Sequence, residues 1–121
     1  MKRTVVLILL LLSLQFSFSQ TSETLTTDSN GKELLLGKIV KNDLTQNSFK
    51  TWFNENYDDY LVNKSIAKNL KDSLNLYEIK VFLGTWCGDS KREVPRFYKV
   101  LDTAKFPENQ LQVIAVNRTE Y

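Results

Sequence analysis

A chain of 121 residues with one cysteine and no histidine holds one small domain, closes no internal disulfide, and has no imidazole for general-base work or most transition-metal sites. Lys2 and Arg3 account for the whole excess of 16 basic over 14 acidic side chains, which leaves 14 against 14 without them. Nothing in that balance points to nucleic acid, and no basic stripe with interleaved aromatics is present.

The first residues have the pattern of an export signal. Met1-Lys2-Arg3 is basic, Val5 to Leu12 is an unbroken apolar run, and Ser17-Phe18-Ser19 places small residues where a signal peptidase reads. The apolar run is short of the roughly 20 residues of a membrane span. Residues 1–19 are therefore expected to be a signal peptide cut near Ser19, with an uncleaved anchor as the second reading. Residues 20–36 are expected to be a polar N-terminal segment or a hairpin. Asp28-Ser29-Asn30-Gly31 is its turn signal, and Lys32 to Val40 is apolar enough for a strand.

Phe49, Trp52, Phe53, Tyr57 and Tyr60 form the apolar stripe of a helix, with Thr45, Asn47 or Ser48 available as N-cap. Such a stripe reads as packing. Asn63 to Ser73 predicts a second short helix, with Ile66, Ala67, Leu70 and Leu74 inward. Leu76 to Thr85 is the clearest strand, and its Val81-Phe82-Leu83 run predicts a central position covered on both faces. Asp89 to Ala104 reads as a helix with Val94, Phe97, Tyr98 and Leu101 inward, broken at Phe106-Pro107. Leu111 to Val116 is a second buried-type strand. The last three elements make one βαβ unit, whose strands should be parallel neighbours joined by a right-handed crossover. Ligand sites in open α/β sheets lie at the carboxyl ends of strands, and Cys87 is there.

An odd cysteine in an exported protein suggests intermolecular pairing or a free reactive thiol, and the bland alternative is a small buried hydrophobe. The local sequence favours reactivity, because a cysteine opening a helix sits where N–H groups and the helix dipole favour the thiolate. The segment Trp86-Cys87-Gly88-x-x-Lys91-x-x-x-Pro95, after an apolar strand, resembles the active-site segment of the thioredoxin family. The stretch from Gly37 to Tyr121 also looks like the exported thioredoxin-like proteins of Bacteroidetes-type bacteria, which carry a WCGDS-type segment. The resemblance implies an α/β, thioredoxin-like, three-layer α/β/α fold over residues 37–121. It also implies that the fold is incomplete, with the C-terminal β-hairpin, its cis-proline loop and the last helix missing after Tyr121.

Departures from the family pattern limit the chemistry. Ser90 stands where the resolving cysteine belongs, so net dithiol oxidation or reduction by this chain alone is excluded. Attack by Cys87, capture of a mixed disulfide and release by an external thiol remain. Val81 replaces the acid that many thioredoxins bury. Asp89 replaces the usual proline, and its charge opposes the lowering of the Cys87 pKa that the helix amides and Ser90 favour. The expected roles are Cys87 as nucleophile with Ser90 as its hydrogen-bond donor, and Trp86, Gly88 and Asp89 as the substrate-contacting surface. Lys91 and Pro95 are structural. No cofactor and no metal site are expected. The expected partners are protein or small-molecule thiols and disulfides, with no nucleic acid and no stable membrane association after signal cleavage. The expected location is exported, periplasmic or secreted. The rival reading is a non-catalytic thioredoxin-fold binding module or an inactive fragment.

Overall fold

The computed structural model describes residues 24–118. The expected signal peptide and its cleavage site lie outside the described residues. Within them the chain forms two small sheets and four helices, a mixed α/β arrangement. Strand β1 (Leu25–Thr27) pairs antiparallel with β2 (Glu33–Leu35), Leu25 opposite Leu35. The Asp28 carboxylate holds their turn by accepting from the N–H groups of Asn30 (2.8 Å) and Lys32 (3.0 Å), the local bonding that suits aspartate to turns. The single strand expected over Lys32–Val40 is broken. Gly37 takes φ +81°, a left-handed conformation that glycine adopts without steric cost, and β3 (Gly37–Ile39) begins there in the second sheet.

Helix α1 spans Lys41–Leu44. The Asp43 carboxylate accepts from the N–H of Val40 (2.8 Å), and Leu44 is fully buried. A 3-10 turn over Asn47–Phe49 leads into α2 (Lys50–Asp59). None of the three expected caps is used. Phe49, drawn into the core, occupies the N-cap, while the Ser48 N–H donates to Glu33 Oε2 (3.1 Å). Phe49 and Phe53 are buried, and Trp52 and Tyr57 pack partly buried against them. Helix α3 (Lys64–Leu74) is capped by the Asn63 side chain, which accepts from the Ile66 N–H (3.1 Å). Only Ala67 is buried on it; Ile66 is 57% exposed and Leu70 is also exposed, against the inward placement expected.

Strand β4 (Ile79–Leu83) is shorter than predicted. Leu76 and Tyr77 instead close the turn after α3, donating to the carbonyls of Ser73 (3.3 Å) and Leu74 (3.0 Å), and their side chains are exposed. Helix α4 (Gly88–Thr103) follows, then β5 (Leu111–Ala115), and the sheet order is β3-β5-β4. Strands β4 and β5 are parallel neighbours, with Val81 opposite Val113, and β3 is antiparallel to β5. Among the described residues β5, not β4, is therefore the central strand. Leu83, Val113, Ala115 and Ile39 enter one core with Phe53, Val94 and Tyr98. Phe82 has the opposite parity and is 63% exposed, beside exposed Lys38 and Lys80. The described residues thus put helices against one face of the sheet and form no second layer over the other.

Helix α4 buries Val94, Pro95, Tyr98 and Leu101, but the expected inward Phe97 is 37% exposed. The helix ends in a Schellman arrangement: Phe106 N–H donates to Leu101 C=O (2.9 Å) and Lys105 N–H to Asp102 C=O (3.1 Å). Lys105 there has φ +55°. At its outer side the Asp102 carboxylate receives both the Lys41 ammonium and the Tyr57 hydroxyl, joining α1, α2 and α4.

Candidate functional site

Strand β4 runs into the core at Leu83, and the next four residues reverse the chain into α4. The Cys87 N–H donates to the Gly84 carbonyl (2.9 Å), closing the turn, and the Cys87 carbonyl accepts the first helical bond from the Lys91 N–H (3.0 Å). Cys87 is thus the N-cap of a 16-residue helix, with extended backbone angles (φ −85°, ψ 126°). Its side chain is partly exposed and unpaired.

The loop is fastened on three sides. Thr85 is buried, and its hydroxyl accepts from the Leu35 N–H (3.2 Å), so the N-terminal hairpin is bonded to the segment before Cys87. The Ser90 hydroxyl accepts from the Gly84 N–H (3.2 Å), tying the first helical turn to the end of β4. The indole N–H of Trp86 donates to the Val116 carbonyl (3.1 Å), while the Val116 N–H donates to Leu83 (2.8 Å). Gly84 matters here for space rather than for backbone angle: a β-carbon would lie 2.6 Å from Trp86 Cε2.

The donors at the start of α4 act on the Cys87 pKa in one sense, and burial together with the Asp89 charge in the other. The Ser90 N–H, then the Ser90 hydroxyl, then the Asp89 N–H favour the thiolate and lower the Cys87 pKa. Partial desolvation and the Asp89 carboxylate oppose them, and the pKa is left below its ordinary value. The amides that contribute are those of Asp89 and Ser90. Gly88 itself is exposed, and a β-carbon there would meet nothing within 4 Å. Asp89 points to solvent and is held by Arg92 Nη2 (2.9 Å).

Lys91 and Pro95 lie on the first turns of α4. Lys91 is half-buried and Pro95 fully buried. Proline lacks the N–H that would return to the Lys91 carbonyl, yet the helix runs through it. Val81, six positions before Cys87, packs partly buried against the core.

The structure adds two groups that the sequence motif did not contain. The Arg118 guanidinium lies 4.5 Å from the Trp86 ring centroid, and the Val116 carbonyl orients that ring. Both are about thirty residues away along the chain, so no local pattern marked them. Thr85 carried a weak signal, as a hydroxyl at the end of an apolar run. A cavity of about 550 Å³ lies elsewhere, among α1, α4 and β5, lined by Lys41, Tyr98, Asp102 and Leu111 among others; no residue of the Cys87 loop borders it. No helix among the described residues is long and apolar enough to cross a membrane. Comparison with family models, curated proteins and solved structures finds no match for the chain.

Proposed function

We propose that this protein is an exported, thioredoxin-like protein that carries out monothiol thiol–disulfide exchange through Cys87. The observation that carries the reading is Cys87 at the N-cap of α4, next to the unpaired N–H groups of the first helical turn, with its thiol pKa lowered. The parallel β4–α4–β5 unit supports it, because it sets the cysteine at the carboxyl end of a strand, where open α/β sheets place their ligands.

In the reaction the Cys87 thiolate attacks one sulfur of a substrate disulfide. The substrate S–S bond breaks, its second sulfur leaves with the bonding electron pair and takes a proton from water, and a Cys87–substrate disulfide remains. Ser90 has no thiol to resolve it. An external thiolate attacks the mixed disulfide, joins the captured sulfur and returns Cys87 as thiolate, so no net electrons stay on the protein. The activity fits isomerisation, reversible capping or trapping in a disulfide-permissive compartment.

The test is the rate of Cys87 alkylation against pH, in buffer and in urea. A midpoint below that of the unfolded chain, which should lie near about 8.5, supports a formed thiolate site. Equal midpoints would overturn the reading. Exposed Trp86 is the observation that favours a binding module instead, and a Cys87→Ala variant with full cellular function would establish that alternative.

A further inference from the structure

The charges around the Cys87 loop are not balanced by their own pairing. On α4 the acids are engaged: Asp89 bonds Arg92 (2.9 Å), while Glu93 bonds Arg92 (2.5 Å) and Arg96 (3.4 Å). Two cations beside the loop, Lys91 and Arg118, form no salt bridge with any carboxylate among the described residues. Arg118 is the more specific of the two. Its guanidinium rests on the face of Trp86, and Trp86 is itself pinned by the Val116 carbonyl and by its close fit over Gly84. A guanidinium stacked on an aromatic ring keeps its N–H edges free for a carboxylate. The cation is thus held next to the residue that precedes the nucleophile, with its hydrogen-bonding edge engaged by no carboxylate among the described residues.

We propose that the Trp86–Arg118 stack makes the Cys87 site selective for anionic disulfides, those bearing a carboxylate near the S–S bond. The inference rests on the thiol-exchange reading above and names its substrate class. The Asp89 carboxylate, which alone would repel an anion, is paired with Arg92, so its repulsion is offset and Arg118 supplies the attraction. The reaction is the attack already described: the Cys87 thiolate bonds the nearer sulfur, the S–S bond breaks, and the carboxylate-bearing thiolate leaves and is protonated by water. The cation contributes by raising the encounter rate with the substrate's carboxylate. An exposed cation acting over roughly 5–8 Å in water changes the rate with a unit anion by about two- to fourfold.

The experiment uses three alkyl disulfides of matched size: dithiodipropionate (anionic), bis(2-hydroxyethyl) disulfide (neutral) and cystamine (cationic). Rates of mixed-disulfide formation are measured by intact mass for the wild-type chain, Arg118→Gln and Arg118→Lys. Comparing the proteins probe by probe cancels the intrinsic reactivity of each disulfide. Arg118→Gln is expected to slow dithiodipropionate about threefold, leave the neutral probe unchanged and speed cystamine. Arg118→Lys should keep most of the wild-type preference, and about 0.5 M salt should erase the difference between proteins. Equal slowing of all three probes would show a structural role for Arg118 and overturn the proposal, as would no change. If the wild-type chain reacts with the neutral probe no faster than it does in urea, the thiol-exchange reading itself falls, and this inference falls with it.

Discussion

The indole of Trp86 lies so close over Gly84 that a β-carbon on that glycine would sit 2.6 Å from ring atom Cε2. Glycine is needed at the end of β4 because the ring folds back over the strand, reaching the Val116 carbonyl on β5's continuation. Replacing Gly84 by alanine must displace the ring or the backbone. Overpacking of this kind costs typically about 1–3 kcal/mol. Gly84→Ala should lower the urea midpoint by a corresponding amount, and in a Trp86→Ala background most of that cost should vanish. A double-mutant cycle that shows additive losses would rule out the ring contact as the cause.

Ser90 has two tasks: its hydroxyl accepts from the Gly84 N–H and helps to lower the Cys87 pKa. Ser90→Ala removes both and should destabilise the fold by about 1 kcal/mol. The Cys87 alkylation profile should move to higher pH. The sign of the pH effect on stability follows from the lowered pKa. Between the folded and unfolded values the native state has already released its proton and the unfolded chain has not, so stability rises with pH across that window and is lost as pH falls through it. Cys87→Ala should abolish this rise in urea titrations run at a series of pH values. A rise that persists in Cys87→Ala belongs to another group.

Lys105 occupies the left-handed position of the α4 C-terminal motif at φ +55°, where glycine carries no steric penalty. Its amide bond to Asp102 is a backbone interaction that survives substitution. Lys105→Gly should therefore stabilise the protein by about 0.5–1 kcal/mol, less than the full left-handed penalty because glycine loses more entropy on folding. Thermal unfolding of the two proteins side by side gives the answer; a lower midpoint for Lys105→Gly contradicts the assignment.

Burial, and then the hydrogen bond and charge of Asp102, push the Tyr57 pKa up to about 12. Burial first, then the charges of Asp102, Glu108 and Asp43, brings Tyr98 to about 12 as well. Because the folded values are raised, the stability these hydroxyls contribute is complete below pH about 10 and is lost as pH climbs towards the folded values. Alkaline unfolding should begin in that interval. Asp102→Asn should bring the Tyr57 transition in an ultraviolet titration down towards 10, while burial keeps part of the shift. An unchanged transition would remove Asp102 from the account.

Much of the site was legible because its information is local. The apolar run ending at Leu83, the Trp86-Cys87-Gly88 turn and the periodicity of Val94, Tyr98 and Leu101 are consecutive along the chain, and strand, turn and helix propensities act over that range. The same logic failed where exposure depends on a neighbour. Phe97 and Phe82 have the apolarity of buried residues, but the described residues cover them only in part, Phe97 to 37% exposure and Phe82 to 63%. Ile66 and Leu70 failed likewise, since α3 packs on α4 and buries only Ala67.

By itself the sequence determined the type of the main elements after Val40, the place of the one cysteine at a helix start, and the absence of a second thiol to resolve a mixed disulfide. Those are properties of composition and short-range pattern. Only the tertiary structure decided that β5 is central and β4 lies at the edge, that Thr85 anchors the hairpin, and that Arg118 stacks on Trp86. Each joins residues at least 30 positions apart, and up to 78 where Gly37 pairs with Ala115, and no local propensity encodes such contacts. They form because burying Leu35, Leu83 and Val113 in one core brings remote backbone together, and the polar groups carried with it must then find partners.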